Sequence, residues 1–181
     1  MKKIFLFIGL TFTLNSYSFI SNSLPPSTEP QFKQVIVAPP KQKTTHVKKF
    51  SDEDIYWMAK NVYFEARNES LNGQIAVIMV TMNRVSHPEY PNTIKEVVTQ
   101  RNRRGCQFSW YCDGLPDKIA NKKVYEKIRT LVLTILPVHG TITDMTKGAI
   151  FYHAYYVNPH WRKHVIRTAK IGAHIFYREK V

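Results

Sequence analysis

Apolar positions between residues 51 and 136 recur at helical spacing, whereas those beyond residue 148 fall in short aromatic and β-branched runs. Ser51 can cap a helix, and Asp52, Glu53 and Asp54 suit the positive end of its dipole. Ile55, Met58, Ala59, Val62, Tyr63 and Ala66 then line one face, predicting a first helix that ends near Arg67. A second start at Ser70 leads into an almost unbroken apolar run from Ile75 to Met82, which fits a fully buried helix. Pro88 and Pro91 interrupt the chain, and Asn92 can cap a short third helix through Val98. Arg101, Arg103 and Arg104 mark a basic loop. A further helix is expected from about Pro116 to Leu136, carried by Ile119, Tyr125, Ile128, Val132 and Ile135. Ala149 to Val157 and Ile171 to Tyr177 predict strands of a small antiparallel sheet. The order predicts an α+β domain, mostly helical, with its sheet toward the C-terminus.

The first fifty residues follow neither pattern. Lys2 and Lys3 precede an apolar stretch from Ile4 to Leu14, and Ser16 and Ser18 are small residues at a candidate cleavage site. That is the layout of an export signal over 1–18, too short in its apolar part for a spanning helix. An uncleaved anchor reaching Ile20 is the alternative. Residues 19–50 hold five prolines among Ser, Thr, Gln and Lys, the composition of an extended linker. The expected domain is therefore 51–181.

Charge sharpens this division. The whole chain carries a net +13, with seven lysines and one glutamate in residues 1–50, which leaves +7 for the remainder. The basic residues form no recognition-helix or aromatic-strand pattern, so nucleic acid is not the expected partner. The seven glycines are scattered without a phosphate-binding loop, and no cofactor is expected.

Several residues could carry chemistry. Glu65 lies among Tyr63, Phe64 and Ala66, and a carboxyl against apolar surface tends to stay protonated, as a general acid requires. The competing reading is a surface glutamate paired with Arg67 or Lys60. Glu69, four residues on, is a second carboxylate on the same potential face, or merely serves the next helix start. Cys106 and Cys112 flank Gln107, Phe108, Ser109, Trp110 and Tyr111. Behind an export signal they are expected to form a disulfide that fixes those aromatics, either as a sugar platform or as core. His160 and His164 have a zinc-like spacing, but no glutamate accompanies them and Pro159 disfavours a helix, so no metal is assigned. Tyr152, His153, Tyr155, Tyr156 and Trp161 suggest a polar-aromatic cleft wall.

These residues also carry a family resemblance. Tyr63-Phe64-Glu65-Ala66-Arg67-Asn68-Glu69 resembles the Glu-Ala-Arg-Gly-Glu signature of SleB-type cell wall hydrolases, which include spore cortex-lytic enzymes. Gly73-Gln74-Ile75-Ala76-Val77, Asn83-Arg84-Val85 and Pro91-Asn92-Thr93-Ile94 continue the likeness, as do Cys106-Gln107-Phe108-Ser109-Trp110 and Gly148-Ala149-Ile150-Phe151-Tyr152-His153. Trp161 and Ile171-Gly172-Ala173-His174-Ile175-Phe176 complete it. The resemblance implies a lysozyme-like domain that cleaves peptidoglycan between N-acetylmuramic acid and N-acetylglucosamine. It implies Glu65 as the one acid/base, in a lytic transglycosylase in which the muramic C6 hydroxyl attacks, and leaves Arg67 and Glu69 supporting roles. On that basis Gln107, Ser109, Tyr152 and His153 are expected to position the glycan, with Phe108 and Trp110 stacking on it and Trp161 as a further substrate-binding residue. Asn68 replaces the family's usual glycine, a mild change because Asn tolerates left-handed backbone angles. The expectation is an exported monomer acting on peptidoglycan, touching membrane only through an uncleaved signal. A metal-dependent amidase and a non-catalytic binder of anionic wall polymer are the alternatives.

Overall fold

Helix α1 (Asp52–Ala66) begins where the sequence places it, because Ser51 and Asp54 close a reciprocal capping box. Residues 49–103 and 105–180 are described by the structure, a computed structural model. The segment expected to be an export signal, and all but two residues of the expected linker, lie outside the described residues, as does Arg104. Helix α2 (Leu71–Val85) starts at a Ser70 cap, and α3 (Ile94–Thr99) starts at Thr93, whose hydroxyl accepts from the Glu96 amide. The cap is thus one residue later than the expected Asn92.

Helix α4 (Lys122–Ile135) is shorter than the expected 116–136 span. Asn121 caps it, and the Asn121 amide donates to the Tyr63 hydroxyl at 3.0 Å, so the chain from Pro116 stays irregular until it is tied to α1. Ile128 and Val132 bury it against the other helices, each contributing about 1.5–3 kcal/mol.

The C-terminal sheet has three antiparallel strands, β3 (Phe151–Ala154), β4 (Ile166–Ile171) and β5 (His174–Arg178), in the order β3-β5-β4. Sequence pattern predicts two strands, and the expected 171–177 run divides at a turn where Gly172 adopts φ +56°. Strand β4 is an edge strand with exposed Ile166, Arg167 and Lys170, so it lacks the apolar alternation that marks a buried strand. A further two-residue hairpin pairs β1 (Arg101–Asn102) with β2 (Gly105–Cys106).

Helix α2 is buried on both sides, which explains its continuous apolar run. Val77, Ile78 and Met82 join the main core with α1, α3 and α4, while Ala76 and Val80 pack against Ala149 and Phe176 of the sheet region. Asn83 and Arg84 then bind the chain leading into β3: Asn83 Nδ2 donates to the Ala149 carbonyl at 3.0 Å and Arg84 Nε to the Ile150 carbonyl at 2.8 Å. The helical layer and the sheet are therefore fixed to each other beside Tyr152.

Cys106 and Cys112 are disulfide-bonded, with Cα atoms 6.0 Å apart. Chain-entropy arguments assign so short a loop roughly 2–3 kcal/mol. Replacing both cysteines by serine is expected to lower the unfolding free energy obtained from a denaturant melt by that amount. A melt unchanged by the substitution removes the contribution.

Candidate active site

Glu65 lies in the last turn of α1, between Phe64 and the buried Ala66. Its neighbours arise from a polar tie across the core. Trp110 Nε1 donates to Asn61 Oδ1 at 3.0 Å, and Asn61 Nδ2 donates to Thr81 Oγ1 at 3.2 Å. This buried chain holds the disulfide loop against α1 and α2, and the Trp110 ring stacks on Phe64 with centroids 4.7 Å apart. Two aromatic faces thus sit beside the glutamate.

From the sheet, the Tyr152 hydroxyl donates to Glu65 Oε2 at 2.7 Å. Burial pushes the Glu65 carboxyl above its ordinary value, while the Tyr152 hydrogen bond and the Arg84 charge pull it back. Burial, with Glu65 beside it, raises the Tyr152 phenol well above its usual value, so it remains a donor. Arg84 is itself buried, with its guanidinium 4.8 Å from the Phe108 ring centroid. Neither sequence-suggested partner holds Glu65: Lys60 reaches Asp117 at 3.6 Å, and Arg67 reaches the Tyr63 carbonyl.

The glutamate stands between two hollows of about 420 Å³ each. Glu65 lines the first, with Arg67, Ser109, Trp110, Asp113 and Asp117. Tyr152 lines the second, with Arg84, Asn102, Gln107, Trp161 and His164. The Tyr152–Glu65 hydrogen bond bridges their linings, so a chain-like substrate lying in both would pass the carboxyl. A larger hollow of 710 Å³, lined by His87, Tyr90 and Glu96 among others, contains none of the expected site residues.

The expected residues separate accordingly. Gln107, Ser109, Trp110, Tyr152, Trp161 and Arg67 line one hollow or the other. Phe108 does not; it is 2% exposed, in the core under Arg84, where it cannot present a face to a sugar. Trp110 is buried too, touching the hollow at its margin. His153 points away from Tyr152, as alternation along a strand requires. It is buried against Tyr177, its Nε2 2.9 Å from the Tyr177 hydroxyl and its Nδ1 2.8 Å from the Ala154 carbonyl. Glu69 faces the β4–β5 turn, where its Oε2 accepts from the Ala173 amide at 3.0 Å. Asn68 needs no left-handed angle, since Lys147 is the one non-glycine residue with positive φ among the described residues. Tyr155 and Tyr156 are exposed, and so are His160 and His164. No group of three His, Cys, Asp or Glu side chains suited to hold a metal occurs among the described residues.

Sequence reasoning assigned no role to Arg84 or Asn61. Their signal was available: each is a polar residue on a helix face made mostly of apolar residues.

The cell wall hydrolase family model matches residues 68–177. The chain belongs to the cell wall hydrolase family. The match begins just after Glu65. A spore cortex-lytic enzyme of Bacillus cereus is 33% identical over 150 residues, covering 76% of this chain and 49% of the relative. That of Bacillus subtilis is 30% identical over 138 residues, covering 70% and 38%. The chain thus spans about half or less of these relatives' length. The catalytic domain of the germination-specific lytic transglycosylase SleB from Bacillus anthracis superposes with a TM-score of 0.57 at 30% identity, covering 72% of this chain and 98% of that domain. The likeness of this family member is therefore to that relative's catalytic domain, mostly helical with a small antiparallel sheet.

Proposed function

We propose that this cell wall hydrolase cleaves peptidoglycan glycan strands between N-acetylmuramic acid and N-acetylglucosamine as a lytic transglycosylase. The observation that carries the reading is Glu65, its carboxyl raised by burial and hydrogen-bonded to Tyr152, at the junction of two hollows that a strand can occupy. The likeness to a lytic transglycosylase domain supports it.

Protonated Glu65 gives its proton to the glycosidic oxygen as the bond to muramic C1 breaks. The resulting carboxylate is stabilised by the Tyr152 hydroxyl and the nearby Arg84 charge. It then takes the proton of the muramic C6 hydroxyl as that oxygen bonds to C1. The product is a 1,6-anhydro sugar, no water is consumed, and Glu65 is protonated again. A single carboxylate suffices, in keeping with a Glu69 whose oxygen is engaged by Ala173. Ser109 and Gln107, on opposite sides of the glutamate, are placed to position the sugars, with Trp161 as a partly exposed ring for stacking. Export to the cell envelope through the segment 1–18 belongs to the same proposal.

Digestion of purified sacculi followed by mass spectrometry tests this. Anhydro-muropeptides are expected; reducing muramic ends would make the enzyme a hydrolase, and intact glycan with free stem peptides would make it an amidase. The pH profile is a second measurement. The acid must be protonated, so activity is expected to fall as pH rises through the Glu65 pKa, with a midpoint above the ordinary 4.5. Tyr152 lowers that pKa, so Tyr152→Phe should move the alkaline limb to still higher pH. A limb that stays in place would detach Tyr152 from the proton transfer.

A further inference from the structure

Lysine is almost never buried in a soluble domain unless it is paired, and Lys60 on α1 is 8% exposed. Its Nζ stands over three aromatic rings, 5.9 Å from the centroid of Tyr56, 5.5 Å from that of Trp57 and 5.3 Å from that of Trp110. Its ion-pair partner, Asp117, lies 3.6 Å away. Asp117 belongs to the irregular chain between Cys112 and α4, and with Asp113, Leu115 and Pro116 it lines the hollow that contains Glu65. No helix or strand fixes this wall from within. A tight turn shapes it instead: Asp113 Oδ1 accepts from the Leu115 amide at 2.8 Å, Gly114 adopts φ +80°, and Leu115 is 70% exposed on the lining.

Two ties bring this chain to α1, the helix that carries Glu65. The Asn121 amide donates to the Tyr63 hydroxyl at 3.0 Å, and Asp117 pairs with Lys60, about one turn earlier on the helix. Trp110, which also lines that hollow, lies under the same ammonium and stacks on Phe64. Burying an ammonium costs solvation that an apolar side chain of like size does not lose, so the charge does more for the placement of this wall than for stability. On the muralytic reading, we infer that Lys60 is a positioning residue for glycan binding: its pair with Asp117 holds residues 113–117 against α1 and presents Leu115 to the apolar face of a sugar beside Glu65. Clasp and acid share one helix, so the wall and the proton donor keep a fixed spacing.

The test uses the full chain and soluble, uncross-linked peptidoglycan strands, on which kcat and KM can be separated. Lys60→Met removes the charge and keeps most of the side chain's length; Asp117→Asn breaks the same pair from a partly exposed loop position. Each is expected to raise KM about tenfold, to leave kcat within about twofold, and to leave the alkaline limb of the pH profile in place. The double variant should be no worse than either single one, because both remove the same clasp. Leu115→Ser, with the pair intact, should raise KM about threefold or more. A KM near wild type in any single variant, additive losses in the double variant, or a fall confined to kcat overturns the inference and leaves the muralytic reading standing. Should Lys60→Met not fold, Asp117→Asn and Leu115→Ser decide the matter. If wild-type protein cuts no strand, the muralytic reading fails and the inference with it.

Discussion

Glu65→Gln is expected to reduce sacculus cleavage by about 10²–10⁴-fold while making the folded protein more stable at neutral pH. The loss follows because the amide cannot donate the proton that the departing glucosamine oxygen needs. The gain follows from linkage. Burial raises the folded-state pKa above the unfolded value, so between the two the native state binds more protons than the unfolded chain. Stability attributable to this group is therefore present at low pH and declines as pH rises through that window. The amide has no charge to desolvate and can still accept from Tyr152 through its carbonyl oxygen. Melting temperature should thus exceed wild type near pH 7, and the difference should vanish below the ordinary glutamate pKa. A variant that loses activity together with stability would point to a structural role. One that keeps full activity would sink the assignment of the acid.

The parts of this arrangement that could be read from sequence are those fixed by local chemistry. The Ser51–Asp54 capping box and the Ser70 cap set the starts of α1 and α2 within a few residues, so neither needed tertiary information. The burial of Glu65 accords with its apolar neighbours, but those left a surface glutamate open, and its proposed role as the acid comes from the family resemblance. What escaped depends on residues distant in sequence. Phe108 lies in a polar, aromatic loop that suits a sugar platform, but Arg84 from α2 covers its ring and makes it core. The expectation that Tyr152 and His153 both face the glycan conflicts with strand alternation, since once β3 forms the two must point to opposite faces of the sheet. Tyr152 shares its face with Phe176 and the helical layer, and His153 lies on the other, against Tyr177. The third strand was hidden because an edge strand with a solvated face keeps its arginines and lysines.

Glu69 offers the sharpest distinction between a supporting and a catalytic carboxylate. Its side chain fills space left by two glycines. A Cβ on Gly73 would stand 2.8 Å from the Glu69 Cβ, and one on Gly172 would strike Glu69 Oε2. Within that space the carboxylate accepts the Ala173 amide and so ties the turn between α1 and α2 to the β4–β5 hairpin. Because β5 pairs with β3, opposing Phe176 to Tyr152, the tie bears indirectly on the hydroxyl that reaches Glu65. Glu69→Ala should leave a partly buried amide unpaired and open a void, costing about 1–3 kcal/mol, with a fall in kcat but a preserved pH profile. Glu69→Gln keeps an acceptor oxygen of the same reach and should recover most of both. Gly172→Ala should be as damaging as Glu69→Ala, since it adds a collision at Oε2 to a left-handed backbone angle. Thermal melts and steady-state rates on the three variants decide the matter. Were Glu69→Gln to lose activity as fully as Glu65→Gln while melting like wild type, Glu69 would be a second catalytic carboxylate. The one-carboxylate transglycosylase mechanism would then give way to a hydrolytic one.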